Sequence, residues 1–342
     1  MRATFISTYT MWNLPRSNIL RMQAELAQLN QEISTGRLAD VGLELGAGTA
    51  QAARLHIDVG AFDTAIKSNQ LTSTRLEQTV SALDALTQSA SSFLEELVVG
   101  RAANAPMAAR ASSAFSVFMD QANASDGNVY LFAGINTAVA PIADYDVASK
   151  AAVDAAFLAR FGVAQSDPSI DQIAAVDMID FIENEFADLF ADPDWGTTWS
   201  SASDQVIRTR ISTAQTVDTS VSANEPAMRK LAMVYTMVSE LGIDGLADET
   251  RGALLDKAVG MLSDAFSGLT TLGMDIGVKQ NRVNDATERL RIQQSILERR
   301  VAVLEGVDPL EAKVKLDTLT TQIEMSYSLT AKLLGLSILN YV

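Results

Sequence analysis

Apolar residues recur at steps of three and four from Leu55 through Val59, Phe62 and Ile66, pass over polar Asn69 and Ser73, and resume through Leu76, Val80, Leu83, Thr87, Ala90, Leu94 and Leu97. One unbroken register over residues 55–97 predicts a single helix about 60 Å long at ~1.5 Å per residue, with one edge that must be covered. A second register, Ile276, Val283, Leu290, Leu297 and Leu304, predicts another long helix with one sticky seam, and places Asp285 and Arg289 at ion-pair spacing outside it. Polar entries in such a seam weaken it, and they can fix its register against a facing helix.

Shorter patterns flank these two. Ile19, Met22, Leu26, Leu29 and Ile33 form an amphipathic face that Gly36 terminates, so a helix is expected over about 16–35. Asp308-Pro309-Leu310-Glu311 offers an N-cap acid, a proline at the first helical position and a glutamate for a capping box, just after Gly306 closes the preceding helix. From there Leu316, Leu319, Ile323, Tyr327, Thr330, Leu334, Ile338 and Tyr341 form one stripe, and Leu329, Leu333 and Leu336 a second. A helix apolar on two sides needs two neighbours. The economical solution packs the N- and C-terminal arms against each other. The expected fold is mainly α: a long antiparallel, coiled-coil-like bundle of the two arms with a small mixed α/β insertion in the middle.

Three parts are expected. Residues 1–45 and 306–342 supply terminal helices, 46–135 and 226–305 a long-helix rod, and 136–225 an outward-facing insertion. Within the insertion, helical patterns cover about 149–160 and 169–190, and the alternating "VIRTRISTAQTVDTSVS" at 206–222 is expected to pair as a hairpin. "DGNVYLFAG" at 126–134 is expected to be a short strand leading into it, with Tyr130 and Phe132 on the side free to touch a neighbour.

The 342 residues are 48% hydrophobic and 20% charged, enough for a real core. A net charge of −16 without any basic run argues against nucleic acid and against an anionic membrane surface. Cysteine is absent, which removes disulfides, thiolate zinc sites and cysteine nucleophiles; the single His56 rules out a His-His metal motif and is expected to be solvated or hydrogen-bonded beside the seam. Both chain ends are strongly apolar with one charge each, Arg2 and Lys332. The first interleaves Ser and Thr and lacks the continuous core of a cleavable signal peptide; the last is too short to span a bilayer. Apolar surfaces of this kind call for a partner, such as further copies of the chain.

Val41, Leu43 and Leu45 running into Gly46-Ala47-Gly48 resemble the loop with which many S-adenosylmethionine-dependent enzymes hold their cofactor. Such a site needs a second strand bearing an acid about twenty residues on. The register starting at Leu55 occupies that stretch, so the segment is a connector, with Gly42, Gly46 and Gly48 as a candidate hinge. The acidic run Asp177, Asp180, Glu183, Glu185, Asp188, Asp192 and Asp194 alternates with Ile179, Phe181, Ile182, Phe186 and Leu189, the pattern of a solvated helix face. Trp195 and Trp199 suit the core of the insertion. No catalytic residue, cofactor or metal ligand is expected.

Four stretches carry a family resemblance: "QEISTGRL" at 31–38, "ASDGNVYLFAGINTAVAPI" at 124–142, "NRVNDATERLRIQQSILERRVAVLEGVDPLEAKVKL" at 281–316, and the terminal "LLGLSILNYV". In this order and spacing they resemble the hook-associated protein 3, or hook-filament junction, family of the flagellin superfamily. Flagellin itself is the nearest alternative; "GNVYLFAG" and the ending Asn340-Tyr341-Val342 favour the junction family. The stretch "LADVGLELGAGTAQAA" after Gly36 departs from the polar turn usual there. The resemblance implies a non-enzymatic, extracellular structural subunit, exported without signal cleavage by the flagellar type III apparatus with its export chaperone. Its expected neighbours are copies of itself, hook-associated protein 1 and flagellin, with no nucleic acid or membrane. Proposed packing positions are Ile19, Met22, Leu26, Leu29, Ile33, Ile323, Tyr327, Leu334, Ile338 and Tyr341.

Overall fold

The computed structural model describes residues 8–103 and 105–339, with side chains described over 16–102 and 105–332. The chain runs α1 (Thr8–Thr35), α2 (Val41–Leu45), a 3-10 turn at Gly46–Gly48, α3 (Thr49–Ala103), α4 (Ala108–Ala122), strands β1 (Ser125–Asp126) and β2 (Val129–Tyr130), α5 (Ser149–Phe161), α6 (Ala175–Glu183), α7 (Glu185–Asp188), β3 (Arg208–Arg210), β4 (Thr216–Asp218), α8 (Pro226–Glu240), α9 (Asp248–Glu305) and α10 (Pro309–Leu339). The fold is mainly α, as the periodicity predicts, and every position of the register from Leu55 to Leu97 is buried or half-buried. Two compact units form, one from residues 65–290 and the other from the described parts of 1–64 and 291–342.

In the first unit α3 and α9 lie antiparallel, because rising numbers on one meet falling numbers on the other. Ser73 meets Asn284 at 3.3 Å, Gln280 donates to Glu77 at 3.1 Å, and Arg101 grips Asp256 with two bonds of 2.9 Å. Their seam buries Leu76, Leu83, Ala90 and Leu97 with Leu262, Leu269, Ile276 and Val283. A second face of α3, carrying Ala82, Leu86 and Phe93, is also buried. α8 runs through this core, and Leu231, Val234, Tyr235, Met237 and Val238 are fully enclosed there. A helix apolar all round has to sit inside.

The segment between α4 and α8 folds onto the same core. Trp195 and Trp199 stack at 5.7 Å, Tyr145 lies 5.5 Å from Trp199, and Trp195 Nε1 donates to Asn224 at 2.8 Å. Burying an aromatic side chain of this size contributes on the order of 2–3 kcal/mol, which makes this cluster the anchor of the segment. Strands β3 and β4 pair antiparallel, Thr209 opposite Val217, as the 206–222 alternation predicts. Of the polar seam entries, Ser73 meets Asn284 of α9, while Asn69 Nδ2 donates to Ile211 O at 2.9 Å beside the hairpin. Arg289 likewise reaches Gln215 at 3.1 Å, and the expected Asp285 pair does not form.

The strand expected at 126–134 is short. Val129–Tyr130 pairs with Ser125–Asp126, Ala133 makes an isolated antiparallel bridge to Ser222, and Phe132 is fully buried, so it is not free to touch a neighbour. Gly134 ends this stretch at φ +62°, where a Cβ would stand 2.2 Å from Ser203 O and 2.6 Å from Gln205 O. Only glycine permits that approach.

Candidate assembly site

Among the described residues, the unit built from residues 1–64 and 291–342 buries few side chains. α1 and α10 lie antiparallel, with Gln23 Nε2 donating to Tyr327 at 2.9 Å. Ile19, Leu29, Ala312 and Leu319 are buried along the seam, while Met22, Leu26 and Ile323 are half-buried. Ile33 is 36% exposed and Tyr327 49% exposed, and Tyr341 and the side chains of Leu334 and Ile338 lie outside the described residues. The described packing positions therefore line the α1/α10 seam to different depths, and Tyr327, though half exposed, ties the two helices through the bond from Gln23.

A small polar node joins these arms to the ends of α3 and α9. Gly36 closes α1 at φ +68°, its N–H bonded to Glu32 O at 2.7 Å. The next residue, Arg37, bridges antiparallel to Gly306, with Leu38 N donating to Glu305 O at 2.8 Å and Val307 N to Gly36 O at 3.1 Å. A Cβ on Gly306 would lie 2.3 Å from Ala302 O, so the chain can turn here only at glycine. The Glu305 side chain, 3% exposed, accepts from Arg37 Nη2 and pairs with His56 Nε2 at 2.8 Å. Burial pushes the Glu305 carboxyl up, but hydrogen bonds from Arg37 and His56, with their charges, outweigh it and hold the carboxyl below the ordinary value. His56 is thus hydrogen-bonded, and its role is to tie α3 to α9.

The 40–50 connector is helical where its alternation resembles a strand. Asp40 caps α2 by accepting from Leu43 N at 2.9 Å, and Thr49 Oγ1 donates to Gly46 O at 2.8 Å as α3 begins. Of the three candidate hinge glycines only Gly46 has a positive φ, +50°. The local caps explain the helix: short-range hydrogen bonds outrank a five-residue alternation.

Three surfaces on this unit are open. The outer line of α10 exposes Leu310, Val314, Met325 and Leu329, each more than half exposed, and the outer line of α9 exposes Ile292, Ile296 and Val303. Between α1 and α10 a groove of about 590 Å³ presents five carboxylates, Glu25, Glu32, Glu44, Asp308 and Glu311, against Arg21 and Lys315. Sequence reasoning followed the inner seams and missed the α9 line, although Ile292 and Ile296 stand four apart in plain view. The Glu305 node was equally hidden, since its partners are 268 and 249 residues away.

Among the described residues no group of three or more His, Asp or Glu is placed to hold a metal ion, and no helix is long and apolar enough to cross a membrane. The acidic run at 177–194 meets cations of its own chain: Arg160 bonds Asp180 and Glu185, and Arg229 reaches Asp192. In the cleft beside Tyr145, the hydrogen bond from Lys150 to Glu240 at 2.7 Å raises the lysine's pKa.

Residues 6–137 match the bacterial flagellin N-terminal helical region, and residues 259–342 match the bacterial flagellin C-terminal helical region. The chain belongs to the bacterial flagellin family. Together the two matched regions hold both arms and most of the long helices, and the flagellin family is a structural, non-enzymatic family. Among solved structures, the chain is similar to a "putative flagellar hook-associated protein from Vibrio parahaemolyticus", with a TM-score of 0.53 at 10% identity, covering 76% of this chain and 99% of that one. At that identity the likeness concerns the fold. No curated protein matches the chain.

Proposed function

We propose that this flagellin-family chain is the subunit joining hook to filament, assembling through its terminal arms. The observation that carries assembly is the outward apolar line of α10, Leu310, Val314, Met325 and Leu329, on an arm pair whose seam buries few of the described residues. Exposed lines of this length are covered in working proteins. The junction role, as opposed to a filament role, rests on the "GNVYLFAG" stretch and the Asn340-Tyr341-Val342 ending. The mechanism is mechanical: paired arms pack with those of neighbouring copies in a tubular wall and pass torque along it. Hook-associated protein 1 and flagellin are the proposed neighbours at the two ends of that wall, and the flagellar type III apparatus with its chaperone the proposed export route. The domain plan proposed with it gives residues 1–45 and 306–342 to the inner layer of the assembly, 46–135 and 226–305 to the rod, and 136–225 to the outward-facing insertion.

Immuno-electron microscopy of tagged protein on whole cells tests the reading. A ring at the hook tip is expected; label along the entire filament identifies a filament subunit instead. Deleting the last fourteen residues is expected to abolish both the ring and filament growth, and a truncated chain that still supports filaments refutes assembly through the arms.

A further inference from the structure

Two of the open surfaces of the 1–64 and 291–342 unit, the α9 edge and the α1/α10 groove, complement each other in charge. On α9, Ile292, Ile296 and Val303 are 53%, 41% and 83% exposed. At about 100° per residue they fall on one line, with Arg299 and Arg300 exposed on either side of it, while Leu297, Val301 and Glu305 turn inward on the opposite face. Glu298, the nearest acid in sequence, projects away from the line by the same geometry. Arg299 commits only its Nε, to Ser295 O. The result is an apolar edge rimmed by two guanidinium groups.

The groove between α1 and α10 is the reverse: a concave surface floored in part by Leu29 and Ala312, carrying a net excess of three negative charges. We propose that the α9 edge of one copy seats in the α1/α10 groove of a second copy of this chain. This rests on the reading of the protein as an assembling subunit and specifies which surfaces meet. Charge selects the pairing. Edge against edge would oppose arginine to arginine, and groove against groove would oppose carboxylate to carboxylate, whereas edge in groove pairs opposite signs over an apolar strip. Because the two patches differ, the contact is heterologous: each copy keeps one edge and one groove free, so it propagates along a tube or helix and does not close as a two-fold dimer.

The cysteine-free chain permits a direct test. Two full-length proteins of different tag size are made, one with Ile296→Cys and the other with Gln28→Cys, a position lining the groove. Mixed and oxidised at low ionic strength, they are expected to give the mixed dimer in at least five-fold excess over either self-dimer, and a chain with both substitutions to give a ladder. Adding Arg299→Glu and Arg300→Glu to the first protein is expected to abolish the mixed dimer, and adding Glu25→Arg and Glu311→Arg to the second to restore it, each variant being checked for unchanged helix content. Self-dimers in excess, or mixed dimers indifferent to charge reversal, overturn the proposal. Higher-order species seen by sedimentation without the mixed disulfide overturn the docking mode and leave assembly standing; no association at any concentration overturns both.

Discussion

Replacing Glu305 with alanine removes the acceptor shared by Arg37 and His56 and leaves the backbone bond from Leu38 intact. A hydrogen bond to a charged group contributes about 1.5–3 kcal/mol when its surroundings are dry. Here the carboxylate is 3% exposed but the Arg37 and His56 side chains are 52% and 45% exposed, so water recovers both once the acid is gone. Exposed ion pairs contribute only ~0–1 kcal/mol, and the expected cost lies between these limits, about 1–2 kcal/mol. That corresponds to opening of the node some 5–30 times more often. Hydrogen exchange on the full-length chain at neutral pH reads it at the amides of Leu38 and Val307, with peptides from α8 as the unaffected reference. Unchanged exchange at those amides, or equal acceleration in α8, refutes the assignment of Glu305 as a local tie between the arms and the long helices. The pH dependence has a definite sign. Because the folded carboxyl sits below its ordinary value of 4.5, the contribution is complete above about that pH and is lost as pH falls through the lower folded-state value. After correction for intrinsic rates, wild type and Glu305→Ala are expected to converge in acidic solution, as pH falls through the folded-state value of the carboxyl.

The connector glycines should separate by conformation. Gly46→Ala, at φ +50°, is expected to destabilise by roughly 1–2 kcal/mol, while Gly48→Ala, whose added Cβ meets only Leu45 at 3.5 Å, is expected to stabilise by about 0.5 kcal/mol; urea titration followed by helix ellipticity checks the opposite signs. If Gly46 is the hinge, its substitution alone should slow assembly. Gly134→Ala combines a left-handed backbone with two carbonyl collisions and is expected to cost roughly 3 kcal/mol or more, visible as a lower midpoint in unfolding followed by Trp195 and Trp199 fluorescence. A variant of wild-type stability would show that the 203–205 backbone yields easily.

The long helices were legible because each packs through one principal seam, and a single seam leaves a clean period in the sequence. The insertion was legible only in outline. Its core draws Phe115 from α4, Tyr145 from a loop, Trp199 from a turn and Tyr235 from α8, and no periodicity links residues supplied one at a time by separate elements. Asn69 illustrates the same limit: its place in the register was plain, but its partner was a hairpin carbonyl 142 residues away. At the candidate assembly site, the inner faces of α1 and α10 could be traced from Ile19 to Leu29 and from Leu319 to Ile323. What makes the unit open, the outer lines and the acidic groove, depends on what the rest of the chain fails to cover, and that is a property of the folded whole.

The arms meet late. Gln23 and Tyr327 are 304 positions apart, and Arg37 waits for Glu305 across 268. During synthesis α1 emerges first and has no α10 to pair with until nearly the whole chain has followed, since contacts so distant in sequence close last. An unfinished chain therefore carries no completed groove. A wall built from such grooves would accept finished subunits and pass over fragments, a form of proofreading that needs no separate inspector.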